Sequence, residues 1–513
     1  MQWTGILPVT VPITGRVACS TWDGFFKMGQ VISLDVVKRR GAAVKPGHCA
    51  TLIYTSGTTG NPKAVMISHD NMIYESAAST RQIFVQSGKS IPKELRIVSY
   101  LPLSHVAAQM LDIATPMVLT GFGYEGYGPP EFHHCWYTTW FADPNALKGT
   151  LPLTLAACRP TAFLGVPRVW EKIRERLLEV GKTVKGPLKK LSTFAKAHAF
   201  LAAQGRQLGG DGKVTIGYVL TNWVLKKIKK KLGLDQCLAC LTAAAPMPQD
   251  VAQYFASLDI DLLDVYGMSE CTGAQTCSTT MVHQFGTVGP NIGANEIKID
   301  HEKGRDKPGE GEICYRGRHI MMGYMKDPVK TDEAIDKDGW LHSGDVGIVD
   351  KDGLLHITGR IKELIITAGG ENIAPVPIED KFKELCPAVS NIMMVGDKRK
   401  YNVCVLTVKT VMDLETGTST GKLTGDAAGI SSAKTDAEAI AESQKKGSAW
   451  NKYLQGGLDE LNTKHSVSNA QKIQKFVVVP GDFTEKGGEL TATLKLKRSV
   501  TAEKYAKEID AMY

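Results

Sequence analysis

The sequence predicts a multi-domain α/β protein with a large N-terminal domain and a small α+β C-terminal domain. Apolar segments of strand length alternate with helical patterns from residue 48 to residue 265, which indicates mixed or parallel sheets covered by helices. From about Gly311 short strands alternate with glycine turns, and this pattern is typical of an antiparallel β subdomain. After Gly359 a further set of strands and a final helix predict the separate C-terminal domain.

In the N-terminal domain the first strand is predicted at 48–54, where an apolar run rich in β-branched residues reads as a buried strand. Four further strands, expected to be largely parallel, are predicted at 97–101, 161–165, 238–242 and 262–265. Apolar residues recur at helical spacing between two of these strands and predict an amphipathic helix, at Val169, Ile173, Leu177 and Val180.

In the antiparallel subdomain, strands at 346–350 and 354–358 flank the turn Lys351-Asp352-Gly353. The C-terminal domain is predicted to contain strands at 392–395, 403–408 and 476–479. The segment 414–449 is rich in Thr, Gly, Ser, Ala and Lys, so we expect a surface insertion that is partly helical or disordered. A last helix is predicted to begin at a Thr501 N-cap.

Composition narrows the class of protein. The chain has 513 residues, of which 43% are apolar and 22% charged, and this balance excludes wholesale disorder. The net charge of +8 is mild for this length; it suits an anionic small ligand or a lipid surface and does not indicate nucleic acid. The 11 scattered cysteines favour a reducing compartment such as the cytoplasm. No run of 18 apolar residues occurs, so we expect no membrane-spanning helix.

The strongest local motif is YTSGTTGNPK at 54–63, directly after the first predicted strand. Glycines let backbone N–H groups converge on an anion, hydroxyls donate further hydrogen bonds, and a lysine adds a mobile positive charge. The motif does not satisfy the Walker A pattern. It predicts a polyphosphate site formed by Thr55, Ser56, Gly57, Thr58, Thr59, Gly60 and Lys63.

This motif resembles the signature loop of the adenylate-forming superfamily of acyl-CoA synthetases, peptide-synthetase adenylation domains and luciferases. Six further segments resemble that family's motifs in the same order: 101–105 (LPLSH), 243–246 (AAAP), 266–270 (YGMSE), 339–345 (GWLHSGD), 359–363 (GRIKE) and 491–498 (TATLKLKR). The resemblance covers about residues 20–510. Within the superfamily, 143–151 and 163–173 resemble the bubblegum type of long-chain fatty acid–CoA ligase.

The resemblance implies an ATP-dependent activation of a long-chain fatty acid to an acyl-adenylate and pyrophosphate, followed by thioester formation with coenzyme A. It therefore implies ATP, Mg²⁺ and coenzyme A as cofactors, and Lys495, His105 and Glu270 as catalytic residues. Two anions must meet in the first step, so the site must neutralise charge and hold an in-line geometry. Glu270 and Thr55 are the implied Mg²⁺ ligands, because magnesium prefers hard oxygen donors.

Further roles follow from the same resemblance. Tyr266 is expected to stack on adenine, and Asp345 to accept hydrogen bonds from the ribose hydroxyls with Arg360 beside it. Lys362 occupies the pivot about which the small C-terminal domain of the family moves, bringing Gly369 and Gly370 to the site and withdrawing Lys495. The remaining implied nucleotide-binding residues are Ala244, Ala245, Gly267, Met268 and Ser269.

The implied domains are an atypical N-terminal segment (1–47), a large AMP-binding domain (48–359), a hinge (360–362) and a C-terminal domain (363–513) with the insertion near 414–449. Family members carry a longer segment before the signature loop than this chain, whose loop begins at Tyr54. We therefore expect apolar faces of the central sheet to lie uncovered.

Alternatives stay open at this point. A truncated or non-catalytic relative would bind nucleotide, lipid or a partner without turnover, and a third reading is an enzyme that passes the acyl group to a carrier. Retention of Lys495, Glu270, Asp345 and Arg360 favours the ligase. The basic amphipathic stretch 223–232 fits peripheral contact with a membrane, such as the endoplasmic reticulum, and fits an ordinary solvated helix face somewhat better. No sequence feature indicates an oligomeric state.

Overall fold

The fold is seen in a computed structural model. It describes residues 22–55, 62–88, 90–121, 132, 135–212, 215–367, 371–413, 416–491 and 494–513.

The α-helices of these residues are labelled in chain order: α1 (Trp22–Gln30), α2 (Leu34–Ala43), α3 (His69–Thr80), α4 (Val106–Gln109), α5 (Leu151–Cys158), α6 (Pro167–Thr183), α7 (Pro187–Arg206), α8 (Ile216–Leu232), α9 (Gln249–Ala256), α10 (Pro328–Ala334), α11 (Pro375–Leu385), α12 (Asp436–Gln444), α13 (Ala449–Glu460), α14 (Arg498–Lys504) and α15 (Ala506–Asp510). None of the helices in the described part of the chain is both long and apolar enough to cross a membrane.

The strands are β1 (Cys49–Thr55), β2 (Lys63–Ser68), β3 (Glu94–Ser99), β4 (Trp136–Phe141), β5 (Ala162–Gly165), β6 (Ala239–Ala243), β7 (Leu262–Tyr266), β8 (Thr276–Cys277), β9 (Glu296–Asp300), β10 (Gly311–Arg316), β11 (Gly323–Tyr324), β12 (Leu341–Val349), β13 (Leu355–Arg360), β14 (Ile365–Ile366), β15 (Asn372–Ile373), β16 (Val389–Val395), β17 (Asn402–Val408), β18 (Thr410–Met412), β19 (Ser419–Leu423) and β20 (Ile473–Val478).

The central sheet has the order β5-β6-β7-β8, in which β5, β6 and β7 are parallel. A second parallel pair, β3 and β4, approaches β5, because the backbone N–H of Arg96 donates to the Thr161 hydroxyl at 2.8 Å and Thr161 N–H donates back to the Arg96 carbonyl at 3.0 Å. The predicted parallel strands are therefore confirmed within two residues at each end, except that β3 begins three residues earlier than predicted.

Helix α6 is fastened to this sheet by Trp170. Its side chain is fully buried, and its indole N–H lies 3.0 Å from the Gly165 carbonyl and 3.2 Å from that of Leu241. The ring packs edge-on against Phe163 and Phe255, at centroid distances of 5.3 and 5.0 Å. The apolar stripe predicted for this helix is buried only in its first half, and Val180 is 52% exposed.

Strand β1 differs from the expectation of a buried strand. It forms the edge of the antiparallel sheet β1-β2-β11, and only Ile53 in it is buried, whereas Leu52 and Tyr54 are 37% and 65% exposed. Strand β4 is also an edge, and Trp136 and Phe141 are 77% and 81% exposed. In the central sheet, by contrast, β5 is fully buried and β6 is buried except for its half-buried last residue, so these strands do not present the uncovered faces that were expected there.

The predicted antiparallel subdomain is the sheet β13-β12-β10-β9. Strands β12 and β13 are joined by a tight turn in which Gly353 has φ +77°, a backbone conformation that favours glycine. In register across this pair, Asp345 faces Arg360. The pairing matters because both residues were implied to bind the nucleotide.

The C-terminal unit, defined here as residues 363–513, has its own buried clusters, whose members all lie between Ile365 and Met512. At their centre β17 is buried along its whole length and pairs with β16 antiparallel and with β20 parallel. A strand buried on both faces reads as a continuous apolar run, as the sequence of β17 does.

The segment 414–449 does contain the expected helical part, in α12. The described residues of this segment are nevertheless not a surface insertion, because Leu423, Ala427, Ala433 and Ala439 are buried in the core of the C-terminal unit. The physical reason is that two parallel strands need a long crossover connection, and this segment is part of the one between β17 and β20. Thr501 also differs from expectation: it lies inside α14 and its hydroxyl donates to the Lys497 carbonyl at 3.0 Å.

Candidate active site

The carboxyl ends of β6 and β7 bring two of the predicted motifs to one edge of the central sheet. Ala243 is in register with Val265, so Ala244 and Tyr266 emerge side by side. Ala244 has φ +80°, which turns the chain sharply after the strand. In open α/β sheets this edge is where ligands bind.

Gly267 is required by the backbone that follows. A Cβ built on it would lie 1.9 Å from the Gly273 carbonyl oxygen, so any side chain would force the loop apart. The loop closes through a short helical turn, Ser269–Cys271, and the Met268 N–H lies 3.2 Å from the Cys271 sulfur. This close return of the chain presents Glu270 and Tyr266 from a single compact loop.

A chain of buried hydrogen bonds surrounds Asp345, which is 5% exposed. Its Oδ1 accepts from Arg360 Nε at 2.6 Å, and its Oδ2 accepts from the Tyr266 hydroxyl at 2.7 Å. The Tyr315 hydroxyl in turn donates to that of Tyr266. Burial, followed by the charge of Asp345, raises the pKa of Tyr266 well above its usual range, so the phenol stays protonated and holds the carboxylate in place.

Lys495 faces this network from the C-terminal unit. Burial and the positive charge of Arg360 lower its pKa to about 8, against the opposing effect of Asp345 and Glu363. The ammonium group therefore lies within electrostatic reach of two carboxylates and a guanidinium, and its protonation changes near pH 8.

His105 lies within electrostatic reach of Lys495 on the other side. It is the N-cap of α4, where its Nδ1 accepts the Ala107 N–H at 3.2 Å. Burial, with a contribution from the charge of Lys495, lowers the pKa of His105 to about 4, so the ring is neutral at pH 7. Because Nδ1 accepts a hydrogen bond, the proton of the neutral ring is on Nε2.

Lys63, Tyr324 and Glu270 form a second cluster, which includes two of the residues predicted to bind the phosphates and Mg²⁺. The Lys63 ammonium lies 4.5 Å from the centre of the Tyr324 ring, and the Tyr324 hydroxyl donates to Glu270 Oε1 at 2.8 Å. Glu270 is 7% exposed. Thr55 ends β1 opposite Lys63, and its hydroxyl lies 3.5 Å from the Lys63 carbonyl.

Some predicted site residues lie outside the described residues, namely Ser56, Gly57, Thr58, Thr59, Gly60, Gly369 and Gly370. Ala245 is exposed just beyond Ala244. Lys362 is exposed in the short turn Ile361–Glu363 that connects β13 to the C-terminal unit, and its role as a pivot stays a prediction.

Two tyrosines were not found from the sequence. Tyr315 and Tyr324 hydrogen-bond Tyr266 and Glu270 from strands about fifty residues further along the chain. The one feature of the sequence that could have indicated them is a tyrosine at an inward-facing position of a short strand. Such tyrosines are common in any protein core. The Tyr266 hydroxyl donates to Asp345. Any stacking of the Tyr266 ring on adenine must therefore occur with this hydrogen bond in place.

The arrangement of a carboxylate network at the strand ends and a lysine from a second unit agrees with the result of sequence comparison. Residues 20–325 match the family model described as AMP-binding enzyme. This match spans more than half of the chain, and the chain belongs to the AMP-binding enzyme family.

Within that family, similar curated relatives are named long-chain-fatty-acid–CoA ligases. ACSBG2 of Gallus gallus is 45% identical over 498 residues, which are 96% of this chain and 62% of the relative. ACSBG2 of Homo sapiens is 38% identical over 99% of this chain and 73% of its own length, and heimdall of Drosophila melanogaster is 39% identical over 92% and 70%. The resemblance to the bubblegum type is confirmed; the chain spans 62% of the Gallus gallus relative's length.

Solved structures show the same fold. The adenylation domain of a carboxylate reductase from Mycobacterium chelonae superposes with a TM-score of 0.62 at 21% identity, over 96% of this chain and 66% of that one. The O-succinylbenzoate coenzyme A synthetase of Bacillus subtilis, solved in complex with AMP, gives 0.55 at 19% identity, over 89% and 69%. These likenesses confirm the α/β fold class.

Proposed function

We propose that the chain is a long-chain fatty acid–CoA ligase. In the first step a fatty-acid carboxylate oxygen attacks the α-phosphorus of ATP, and the bond to pyrophosphate breaks. In the second step the sulfur of coenzyme A attacks the acyl carbon, and AMP leaves with the bridging oxygen. The observation that carries this proposal is that Lys495, which belongs to the C-terminal unit, lies within electrostatic reach of His105 and of the Asp345–Arg360 pair.

The first step brings two anions together, so positive charge at the point of attack lowers its barrier. Lys495 is placed to stabilise the negative charge that develops between the carboxylate and the α-phosphate. Neutral His105 donates a hydrogen bond from Nε2–H to this developing negative charge, and it does so without adding a second cation. Lys63 lies where β1 ends and β2 begins, and its positive charge serves the outer phosphates of ATP.

Mg²⁺ is part of this proposal. Glu270 is a nearly buried carboxylate whose orientation is fixed by Tyr324, and Thr55 is a hydroxyl, so their donor chemistry fits a hard cation. The ion would neutralise charge on the phosphate oxygens. The remaining residues named for the nucleotide, including Lys362, Gly369 and Gly370 for the second step, are proposed in the same roles.

Replacing Glu270 with glutamine tests the metal role. The amide keeps an oxygen for Tyr324 but removes the charge, so we expect the Mg²⁺ concentration for half-maximal pyrophosphate release to rise at least about tenfold. The matched control is Glu333→Gln, on the exposed face of α10, with no expected change. Identical Mg²⁺ titrations for wild type and Glu270→Gln would exclude this ligand.

The pH dependence follows from Lys495. Its pKa of about 8 means that the cation required in the first step is lost as pH rises through 8, so pyrophosphate release should fall along an alkaline limb centred there. In Lys495→Arg the limb should move upward, because a guanidinium keeps its charge. The measurement is kcat/KM for ATP between pH 6 and 10, which reports the pKa values of the free enzyme; an unmoved limb in a Lys495→Arg variant with residual activity contradicts the assignment.

The overall proposal is tested by palmitate-dependent pyrophosphate release in the presence of ATP, Mg²⁺ and coenzyme A. Release that exceeds that of Lys495→Ala, with palmitoyl-CoA as product, supports the ligase. Soluble protein that binds ATP but releases no pyrophosphate would indicate the non-catalytic relative. Activation without a requirement for free coenzyme A would indicate transfer to a carrier.

We further propose a cytoplasmic enzyme that contacts membranes peripherally through α8. Support comes from one exposed stripe of this helix, on which Ile216, Val219 and Trp223 are 80%, 66% and 47% exposed. The stripe continues into exposed lysines toward the carboxyl end, at Lys226, Lys227, Lys230 and Lys231. Apolar residues beside lysines suit an anionic bilayer surface. Cosedimentation with phosphatidylserine vesicles, compared with phosphatidylcholine alone, reports this contact.

A further inference from the structure

Helix α6 carries a second stripe of residues that the proposed reaction does not use. Arg168, Glu171 and Glu175 are spaced by three and four residues, which places them on one side of the helix. The side defined by Val169, Trp170 and Ile173 is buried against the central sheet. The charged stripe therefore faces away from the sheet.

The charged stripe meets the C-terminal unit directly. Arg168 Nη2 donates to the Ser390 hydroxyl at 3.0 Å, and this hydroxyl donates to Asp482 at 2.7 Å. Two turns further along α6, the Lys409 ammonium lies 2.5 Å from Glu175 Oε1. The Lys409 side chain is only 17% exposed, so this pair is partly removed from water and is screened less than a surface ion pair.

Glu171 completes the contact. Its carboxylate lies 2.7 Å from Arg168 Nη1. Burial alone would raise its pKa, yet the charges of Lys383, Arg168 and Lys409 lower it to about 2. Two of these three cations belong to the C-terminal unit, so the charge of Glu171 is balanced across the interface.

We propose that Arg168, Glu171 and Glu175 are positioning residues that hold the C-terminal unit in the orientation in which Lys495 reaches the candidate active site. The inference rests on the proposed function for its kinetic readout. Helix α6 is connected rigidly to the candidate active site through the central sheet. Trp170 fastens α6 to β5 and β6, and Ala244 follows β6 at the site.

On the other side of the interface, Ser390, Lys409 and Lys495 belong to a unit with its own buried core. Fixing that unit on α6 therefore fixes the position of Lys495 relative to His105 and Asp345. The covalent connection from β13 is one exposed turn, which provides little orientation by itself.

Charge reversal at the Glu175–Lys409 pair tests the proposal. Glu175→Lys places two ammonium groups together, and Lys409→Glu places two carboxylates together; each should lower the pyrophosphate-release rate about tenfold. The double variant restores opposite charges and should recover most of that loss. Recovery is partial because Arg168 and Glu171 then face like charges.

A matched control lies one turn further along. Glu179 is also on α6 and pairs within the same helix with Arg176 at 3.1 Å. Glu179→Lys should leave the rate unchanged. Equal rates for wild type, Glu175→Lys and Lys409→Glu would overturn the proposal, as would losses that the double variant does not recover.

A second readout separates positioning from simple loss of folded protein. Lys495 has a lowered pKa because of burial and Arg360, with Asp345 and Glu363 opposing and His105 facing it. If a reversal releases Lys495 from the site, the alkaline limb of the remaining activity should move above pH 8. A reduced rate with an unmoved limb would contradict positioning.

Small-angle X-ray scattering tests docking without reference to turnover. Each single reversal should increase the radius of gyration, and the double variant should return to the wild-type value. If the wild type releases no pyrophosphate while scattering follows this pattern, the proposed function fails and the docking role stands. Unchanged scattering in the single variants would refute the docking role whatever the activity.

Discussion

Replacing Lys495 with alanine should lower palmitate-dependent pyrophosphate release by about 10²- to 10³-fold, the effect expected when a charge that stabilises the transition state is removed. Lys495 has Arg360, Asp345 and Glu363 as its charged neighbours and His105 on the far side. No cation of the C-terminal unit occupies an equivalent place in the described part of the chain. Thermal stability should change little, because a half-buried ammonium close to a guanidinium contributes little net stabilisation.

The matched control is Lys497→Ala. Lys497 is two residues further along the same segment, and its backbone N–H donates to the Glu489 carbonyl at 2.7 Å, a bond that alanine preserves. We expect at most a twofold change in rate there. A Lys495→Ala variant that retains more than a tenth of the wild-type rate would contradict the role assigned to this residue.

Replacing Asp345 with alanine should destabilise the protein by about 3 kcal/mol, at the lower end of the range for a broken buried ion pair because the Arg360 side chain is 42% exposed. The substitution leaves the Arg360 charge and the Tyr266 hydroxyl without their shared acceptor. The measurement is the free energy of unfolding from urea titration at pH 7. We expect the same substitution to abolish ATP binding as well.

The comparison within the same sheet is Glu296→Ala. Glu296 pairs with Arg316 at 2.7 Å between β9 and β10, but both side chains are more than 40% exposed. Exposed pairs contribute little, so we expect a much smaller change than in Asp345→Ala. Equal destabilisation by Asp345→Ala and Glu296→Ala would show that burial of the Asp345 network is not what makes it important.

Much of this architecture could be predicted because its signals are local. The strands around 239–243 and 262–266 follow from apolar runs, and the motif at 266–270 places Tyr266 and Glu270 where a parallel strand ends. Gly267 illustrates the limit of such reasoning. The motif shows that a glycine stands there, but only the fold shows that the Gly273 carbonyl occupies the space of a side chain.

The misjudged elements share one physical cause, since each depends on what packs against it. Strand β1 has a buried-strand sequence but lies at an edge, and the segment 414–449 has a loop-like composition but belongs to a crossover that packs on the core. The contacts of Tyr315, Tyr324 and Arg168 also join segments far apart in the chain. No periodicity within a short window reports such pairs.

The central claim is that a fatty-acid carboxylate oxygen attacks the α-phosphate of ATP at the site of Lys495. The most direct test is turnover of palmitate labelled with ¹⁸O in both carboxylate oxygens, with ATP, Mg²⁺ and coenzyme A. We predict that AMP contains one ¹⁸O atom and that pyrophosphate contains none, because the attacking oxygen stays on the α-phosphorus when the thiol displaces AMP. Palmitoyl-CoA formed with unlabelled AMP, or with ¹⁸O in a phosphate product other than AMP, would contradict the account.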